Sequence, residues 1–337
     1  MNPTIKDVAR AAKVSIATVS RVLNNLSGYS EETRRRVYDA IEQLDYQPNA
    51  IARGLINKRT RTLGVLVPSV SSAFSAAILR GIEDTAHAQG YSVVVCNTHS
   101  EDRRTLEYLQ VLAEKQADGL ILASDPLKDE IHAMTRRMRI PLVLVSSLSP
   151  TPEVPHVRVD DYRAAYDAVS YLIDKGHRRI LMLSGSVEDR IAGLPRIEGY
   201  RDALEEHGLP FRSEDVVRGD FLFRSGYDAM EAVLAERRPP EFTAVFAASD
   251  EMALAVMAAA GKQGLRIPDD LSVMGYDDTQ LATMVYPPLT TVRQPLYEFG
   301  CRACDKLLRM IQTGDAEASE TLGHSIAERL TVKPLSE

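Results

Sequence analysis

The sequence predicts a chain in two parts: a small all-α helix-turn-helix headpiece, then an α/β body of two doubly wound parallel-sheet lobes. Three observations carry that expectation. Residues 4–44 hold short amphipathic helical stretches and no strand pattern. From Thr62 onward, unbroken apolar runs of strand length alternate with helical stretches. The alternation then restarts near Arg178, so the body reads as two similar halves.

The size agrees, because 337 residues exceed one ordinary core and suit two or three compact units. Apolar residues make up 45% and charged residues 26%, the balance of a globular protein, and no apolar run has the length of a membrane span. The opening MNPTIKDVARAAK reads as a helix rather than a basic-then-apolar leader, which points to the cytoplasm. Three cysteines, Cys96, Cys301 and Cys304, leave no second pair for a zinc site. The pair at 301 and 304 lies in an apolar-periodic helix, so packing is its expected role and neither metal nor cofactor is expected. Net charge is −7, but it is unevenly placed. Through Arg61 there are 11 Lys+Arg against 6 Asp+Glu, and beyond it 29 against 41, a head of +5 on a body of −12. That asymmetry is expected when one end of a chain meets nucleic acid.

In the head, Thr4 precedes a helix with Asp7 in its first turn and with Ile5, Val8, Ala9 and Ala12 on one face. Lys13 and Val14 interrupt it. Ser15 then caps a second helix that carries Val19, Val22 and Leu23 inward and shows Ile16, Ala17, Thr18, Ser20 and Arg21 outward. Two short helices joined by a tight turn fit the geometry that enters a major groove, where Arg meets guanine and Ile, Ala and Thr methyls meet thymine methyls. An ordinary helical pair remains the plainer alternative. A third helix opens at Ser30 and carries Val37, Ile41 and Leu44 inward, and its Arg34–Arg36 run reads as a solvated face or a phosphate contact.

In the body, the strand runs are TLGVLVP, YSVVVCN, DGLILAS and PLVLVS, then RRILMLSG, TAVFAASD and LSVMGYDD. Helices are expected near 76–89, 104–115, 128–138, 197–206, 225–235 and 250–263. Continuous apolar strands between helices imply parallel sheets covered on both faces. Gly90, Gly176, Gly208 and Gly264 each follow a helical stretch, where a left-handed residue ends the helix. Two such lobes form a cleft at the carboxyl ends of their strands, and ligand contacts are sought there.

The segments VSIATVSRVLN and YQPNAIARGL resemble the lac-repressor (LacI–GalR) family, and the likeness extends over nearly the whole chain. The resemblance implies a periplasmic-binding-protein-like body and a DNA-binding repressor that acts as a dimer on a pseudo-palindromic operator. By that resemblance Ile16, Ala17 and Arg21 read bases, while Thr4, Ser15, Thr18, Ser20, Asn24 and Thr33 serve the DNA backbone. Residues 49–58, NAIARGLINK, begin with Asn49 as a helix cap after Pro48, but Gly54 and the short length make an isolated helix marginal. The family implies a hinge helix there, with Leu55 wedged into the minor groove and Lys58 beside the duplex; a plain linker is the alternative. The expected division is a headpiece at 1–48, a hinge at 49–61, a first lobe at 62–161 plus 292–320, and a second lobe at 162–291 plus 321–337.

For the cleft, the resemblance places Arg196 in the effector pocket and Phe221 where a stacking aromatic is found. Asp277 in GYDD and Ser249 end strands. The first cleft loop departs from the common pattern: it reads PSVSSAFSAAI, in which only Phe74 remains of an aromatic pair, and Ser146 stands where some sugar-responsive relatives carry Asp. Ser69, Ser72, Ser75 and Ser146 imply a roomier, less charged pocket, hence a sugar of disaccharide size or larger rather than a purine or a compact phosphosugar. Three rival functions compete with this reading. An enzyme lacks its motifs here: there is no phosphate loop, no nucleophile elbow and no paired-His zinc motif. A free solute-binding protein does not account for the basic head. A catabolite-type regulator controlled by a phosphorylated carrier protein is left open by Arg302, Lys306 and Arg309 on one helix. The tail, SIAERLTVKPLSE, carries no leucine heptads for a tetramer-forming coiled coil.

Overall fold

The computed structural model describes residues 3–23, 26–46, 59–149, 151, 153–239 and 241–335. The chain divides into two compact units between Thr60 and Arg61. Residues 49–58 of the hinge expected at 49–61, and residue Asn24, lie outside the described residues.

The first unit contains α1 (Ile5–Ala11), α2 (Ile16–Leu23) and α3 (Glu31–Gln43). Each begins at a polar cap. The Asp7 carboxylate accepts both the N–H and the hydroxyl of Thr4, at 2.9 and 2.7 Å. Ser15 Oγ accepts from Thr18 N–H at 3.0 Å, and Ser30 Oγ from Thr33 N–H at 3.2 Å. Lys13 makes the turn between α1 and α2 with a positive φ of 52°. Val8, Ala9, Ala12, Val19, Val22, Val37 and Ala40 bury the inner faces together, with Ile41 and Leu44 packed around them. Three helices this short hold only through that shared core.

The second unit begins with β1 (Thr62–Val67), α4 (Ala73–Ala88), β2 (Ser92–Asn97), α5 (Asp102–Glu114), β3 (Gly119–Ala123), α6 (Asp129–Met138), β4 (Leu142–Val145) and β5 (His156–Arg158). It continues through α7 (Asp161–Asp174), β6 (Ile180–Ser184), α8 (Gly193–Glu206), β7 (Val216–Arg218), α9 (Phe223–Glu236) and β8 (Ala244–Ala247). Then follow α10 (Asp250–Lys262), β9 (Ser272–Asp277), α11 (Leu281–Met284), β10 (Thr290–Arg293), α12 (Leu296–Thr313), β11 (Glu320–Thr321) and β12 (Ser325–Ala327). Two six-stranded sheets result, in the orders β11-β5-β4-β3-β1-β2 and β12-β10-β9-β8-β6-β7. All pairings are parallel except β10 with β12. β3, β4, β6, β8 and β9 are buried at every residue, as strands with helices on both faces must be.

In the first lobe, α4 and α12 cover one face of the sheet, and α5 and α6 cover the other. The α4–α12 crossing is backbone to backbone. A β-carbon at Gly81 would lie 2.1 Å from the Tyr297 carbonyl oxygen, and one at Gly300 the same distance from that of Ile78. The CxxC of the sequence sits on α12, where Cys304 is buried and Cys301 Sγ faces the Gly81 carbonyl at 3.6 Å. Gly90, Gly176, Gly208 and Gly264 all have φ between 71° and 93°, as their helix-ending positions require. The chain passes between the lobes three times, after Arg158, after Arg293 and after Thr321. The carboxyl ends of both sets of parallel strands therefore face one cleft.

Candidate ligand cleft and DNA-reading helix

A cavity of about 630 Å³ lies between the lobes, within the range that takes small organic ligands. Ser69, Ser72, Phe74, Ser146, Arg196, Phe221, Ser249 and Asp277, all expected from the sequence, line it. They differ in what they have left to offer. Ser72 caps α4, accepting from Ser75 N–H at 3.1 Å. Ser69 shares a hydrogen with Ser71 at 3.0 Å. Ser249 caps α10 by accepting from Met252 N–H at 3.1 Å, and donates to the Phe221 carbonyl at 2.7 Å. Ser146 is different: its hydroxyl is buried with no hydrogen-bond partner, as is that of Ser124, also on the cavity wall. Each follows the last residue of a strand, β4 or β3, in the left-handed region, with φ of 47° and 61°. Buried hydroxyls without partners are uncommon in folded proteins and cost free energy.

Arg196 is the most elaborately held group. Its Nε and one terminal nitrogen donate to Asp161 Oδ1 at 3.0 and 2.8 Å, and its other terminal nitrogen donates to the Ala248 carbonyl at 2.5 Å. Its guanidinium stacks 3.6 Å from the Tyr276 ring centroid and 5.6 Å from that of Phe221. Burial works against its charge, yet Tyr276, Asp161 and Asp277 around it raise its pKa above the ordinary arginine value. Asp277 accepts from Gln294 Nε2 at 2.8 Å. Burial, together with the nearby charge of Asp250, pushes the Asp277 carboxyl far above the usual carboxylate range. Burial also lifts Asp250 to about 6, although Thr291 and Thr279 donate to it.

The cavity wall also holds groups that the sequence reading did not select. Asp102, Asp125, Asp161, Glu188, Asp189, Asp220 and Glu251 join Asp277, against Lys128, Arg190 and Arg196 as the cations. The serines that point to a less charged pocket thus share the wall with several carboxyl side chains. Serines replace charge only on part of the first-lobe wall, while the loops after β3 and β6 bring carboxylates back. Asp125 stands two residues past the end of β3, and the rule that selected Ser249 and Asp277 at strand ends applies to it as well.

In the first unit, α2 presents Ile16, Ala17 and Arg21 to solvent, while Thr18 and Ser20 are half-buried. The Arg21 guanidinium donates twice to the Ser27 carbonyl, at 2.9 and 2.6 Å, which fixes its direction across the end of α2. The hydroxyls of Ser15 and Thr18 bond one another at 2.8 Å, as do those of Ser30 and Thr33 at 3.0 Å. Any phosphate contact they make is added to a capping duty. Asn24, Asn49, Leu55 and Lys58 lie outside the described residues, so the structure places no side chain for them. Among the described residues, no helix is long and apolar enough to cross a membrane.

Residues 4–49 match the family model of bacterial regulatory proteins of the lacI family, and residues 60–327 that of periplasmic binding proteins and sugar-binding domains of the LacI family. The chain is 41% identical over 334 residues to catabolite control protein A of Priestia megaterium, covering 99% of this chain and 100% of that protein. It is 38% identical over 309 residues to the transcriptional repressor CytR of Escherichia coli K12, covering 92% of this chain and 90% of that one. Among solved structures, the lac repressor dimer bound to operator and the anti-inducer ONPF matches with a TM-score of 0.88 and 30% identity, over 99% of this chain and 100% of that one. A CelR–cellobiose complex matches with a TM-score of 0.74 and 32% identity, over 98% of this chain and 99% of that one. These relatives are regulators rather than enzymes. A capped helix-turn-helix with an outward Arg, a two-lobed parallel-sheet body and full-length similarity agree, and the chain belongs to the LacI family of DNA-binding transcriptional regulators.

Proposed function

We propose that this regulator is a repressor of carbohydrate-utilisation genes that binds a pseudo-palindromic operator as a dimer and releases it when a sugar of about disaccharide size fills the cleft. Residues 1–48 are the reader, 49–61 the hinge, and the lobes beyond them the sensor. The observation that carries this reading is the cavity wall. Hydroxyls at Ser124 and Ser146 are buried without partners, beside a forked cation at Arg196, a carboxyl group at Asp277 and an aromatic face at Phe221. Vicinal sugar hydroxyls supply the donors and acceptors such a wall lacks, and a pyranose face suits the ring. The similar transcriptional regulator CelR is seen in complex with cellobiose.

Dimer formation is supported by an apolar patch. Met284, Tyr286 and Leu330 are 68, 90 and 58% exposed, and Leu330 adjoins this turn through its N–H bond to the Pro288 carbonyl at 3.0 Å. Large apolar side chains gathered in one exposed place mark an association surface. Control by a phosphorylated carrier protein has weaker support. Arg302 pairs with Glu298, Lys306 with Glu320 at 3.0 Å and Arg309 with Glu317, so these cations are already committed within their own lobe.

The test is titration of a labelled operator-like palindrome with the full chain, across a salt series, with and without a panel including cellobiose, ribose and a nucleoside. Salt-sensitive binding released by a sugar supports the reading. By linkage, operator must weaken that sugar's binding by the same factor. Binding released by the nucleoside alone, or altered only by a phosphocarrier protein, would overturn the choice of ligand.

A further inference from the structure

Asp161 occupies a position that the effector reading leaves without a task. It is the first residue of α7, just past the first crossing between the lobes, and its carboxylate is buried. One oxygen, Oδ1, accepts from second-lobe groups: twice from Arg196 and once from the Tyr276 hydroxyl, at 3.2 Å. The other, Oδ2, faces Arg158 at 3.5 Å. Arg158 ends β5 and belongs to the first-lobe sheet. Arg158 is itself half-buried, and its Nε donates to the Val159 carbonyl at 2.8 Å. One carboxylate thus holds an arginine from each lobe across a two-residue crossing.

We propose that Asp161 is an interlobe latch: it sets the angle between the lobes in the ligand-free protein and holds Arg196 ready for whatever enters the cleft. The proposal builds on the reading of the cleft as a ligand site, because it is there that the aim of Arg196 matters. The chemistry favours such a role. A carboxylate has acceptor sites enough for two arginines at once, and a guanidinium's donors lie in one plane, so pairing fixes direction as well as distance. With Nε, one N–H of each terminal nitrogen and the Tyr276 face engaged, Arg196 keeps one N–H on each terminal nitrogen for a ligand. A ligand that draws on them acts on a group tied through Asp161 to the other lobe. Asp161 is therefore a positioning residue.

The test needs neither ligand nor DNA, so its failure would leave the cleft reading standing, and the failure of that reading would leave this test valid. Spin labels are placed on the full chain at Lys115→Cys in the first lobe and Glu205→Cys in the second, on a Cys301→Ser background. The sample is diluted with unlabelled chain so that each distance lies within one protomer. Pulsed electron paramagnetic resonance then reads the interlobe distance distribution. Asp161→Asn is expected to broaden and shift it, Arg158→Met to do the same, and the double variant to go no further than either single one. Asp160→Ala removes the neighbouring helix cap, which accepts from Arg163 N–H at 3.0 Å, and serves as the control for damage to the start of α7. It should lower thermal stability and leave the distribution as in the parent. An unchanged distribution in Asp161→Asn overturns the latch, and so does equal broadening in Asp160→Ala. If Asp161→Asn does not fold, Arg158→Met decides by the same criterion.

Discussion

The ring of Phe221 fills the space that a side chain at Gly185 would need: a β-carbon there would lie 2.1 Å from Phe221 Cζ. Phe221 itself has a positive φ of 70°, so its backbone is held in a conformation that favours glycine in order to aim the ring at the cleft. Gly185 follows β6 directly, and no other small side chain would leave room. Gly185→Ala should therefore displace the ring while sparing the sheet beneath it. Loss of one stacking face is worth about 1.4 kcal/mol, a roughly tenfold weaker Kd for the releasing sugar. Calorimetry on the variant checks this, with circular dichroism to show an intact fold. An unchanged Kd would remove Phe221 from the ligand's surroundings.

Ser146 gives a prediction with two signs. Its buried hydroxyl lacks a partner in the ligand-free protein, a condition that costs about 1–3 kcal/mol per group. Ser146→Ala removes that cost without changing the backbone requirement, so thermal stability should hold or rise. Sugar binding should fall on the order of tenfold, because the hydroxyl that would bond the sugar is lost. A melting temperature that drops, or a Kd that does not change, contradicts the assignment.

What the sequence shows of this protein, and what it conceals, follows from the reach of each interaction. Strand and helix alternation is legible because burial on both faces leaves unbroken apolar runs, as in β3 and β8. β5 and β7 are three residues long, too short for any periodic signal, and the sequence reading assigns neither. It also gives no range to α7, marking only its end at Gly176. The cleft positions at strand ends are legible by rule and by family resemblance. Asp161 is not, because nothing local tells which of Asp160 and Asp161 caps the helix and which turns inward to Arg196. The unpartnered state of Ser124 and Ser146 is likewise a property of the assembled lobes.

His177 predicts a pH effect whose sign can be fixed. It is fully buried, with Nδ1 2.8 Å from Thr243 Oγ1, and burial depresses its pKa from 6.5 to about 4. The folded state thus binds the proton less readily than the unfolded chain. The stability due to the neutral ring is complete above pH 6.5 and is lost as pH falls from there toward 4, by up to about 3 kcal/mol. Asp250, raised to about 6, works the other way, losing stability as pH rises from about 4 through 6. The wild-type slope therefore mixes both groups, and a comparison with His177→Gln isolates the histidine. Urea midpoints at pH 7 and pH 5 should fall further in the wild type than in the variant. Equal falls would mean that His177 titrates normally.

Arg21 carries the sharpest expectation for DNA. Two of its nitrogens donate to the Ser27 carbonyl, so the guanidinium is already directed before any duplex arrives and loses less freedom on contact. Such a fork suits the paired acceptors of guanine in the major groove. Arg21→Ala should weaken operator binding by about 1–3 kcal/mol and relax selection at a single base pair per half-site. Arg21→Lys should not restore that selection, because an ammonium cannot pair in bidentate fashion. Binding to a set of single-base operator variants, repeated over a salt series, separates the possibilities. If Arg21 reads a base, the loss is confined to one position and the salt slope scarcely changes. If the loss is uniform across sequences and the slope falls by about one, Arg21 contacts a phosphate, and base reading on α2 passes to Ile16 and Ala17.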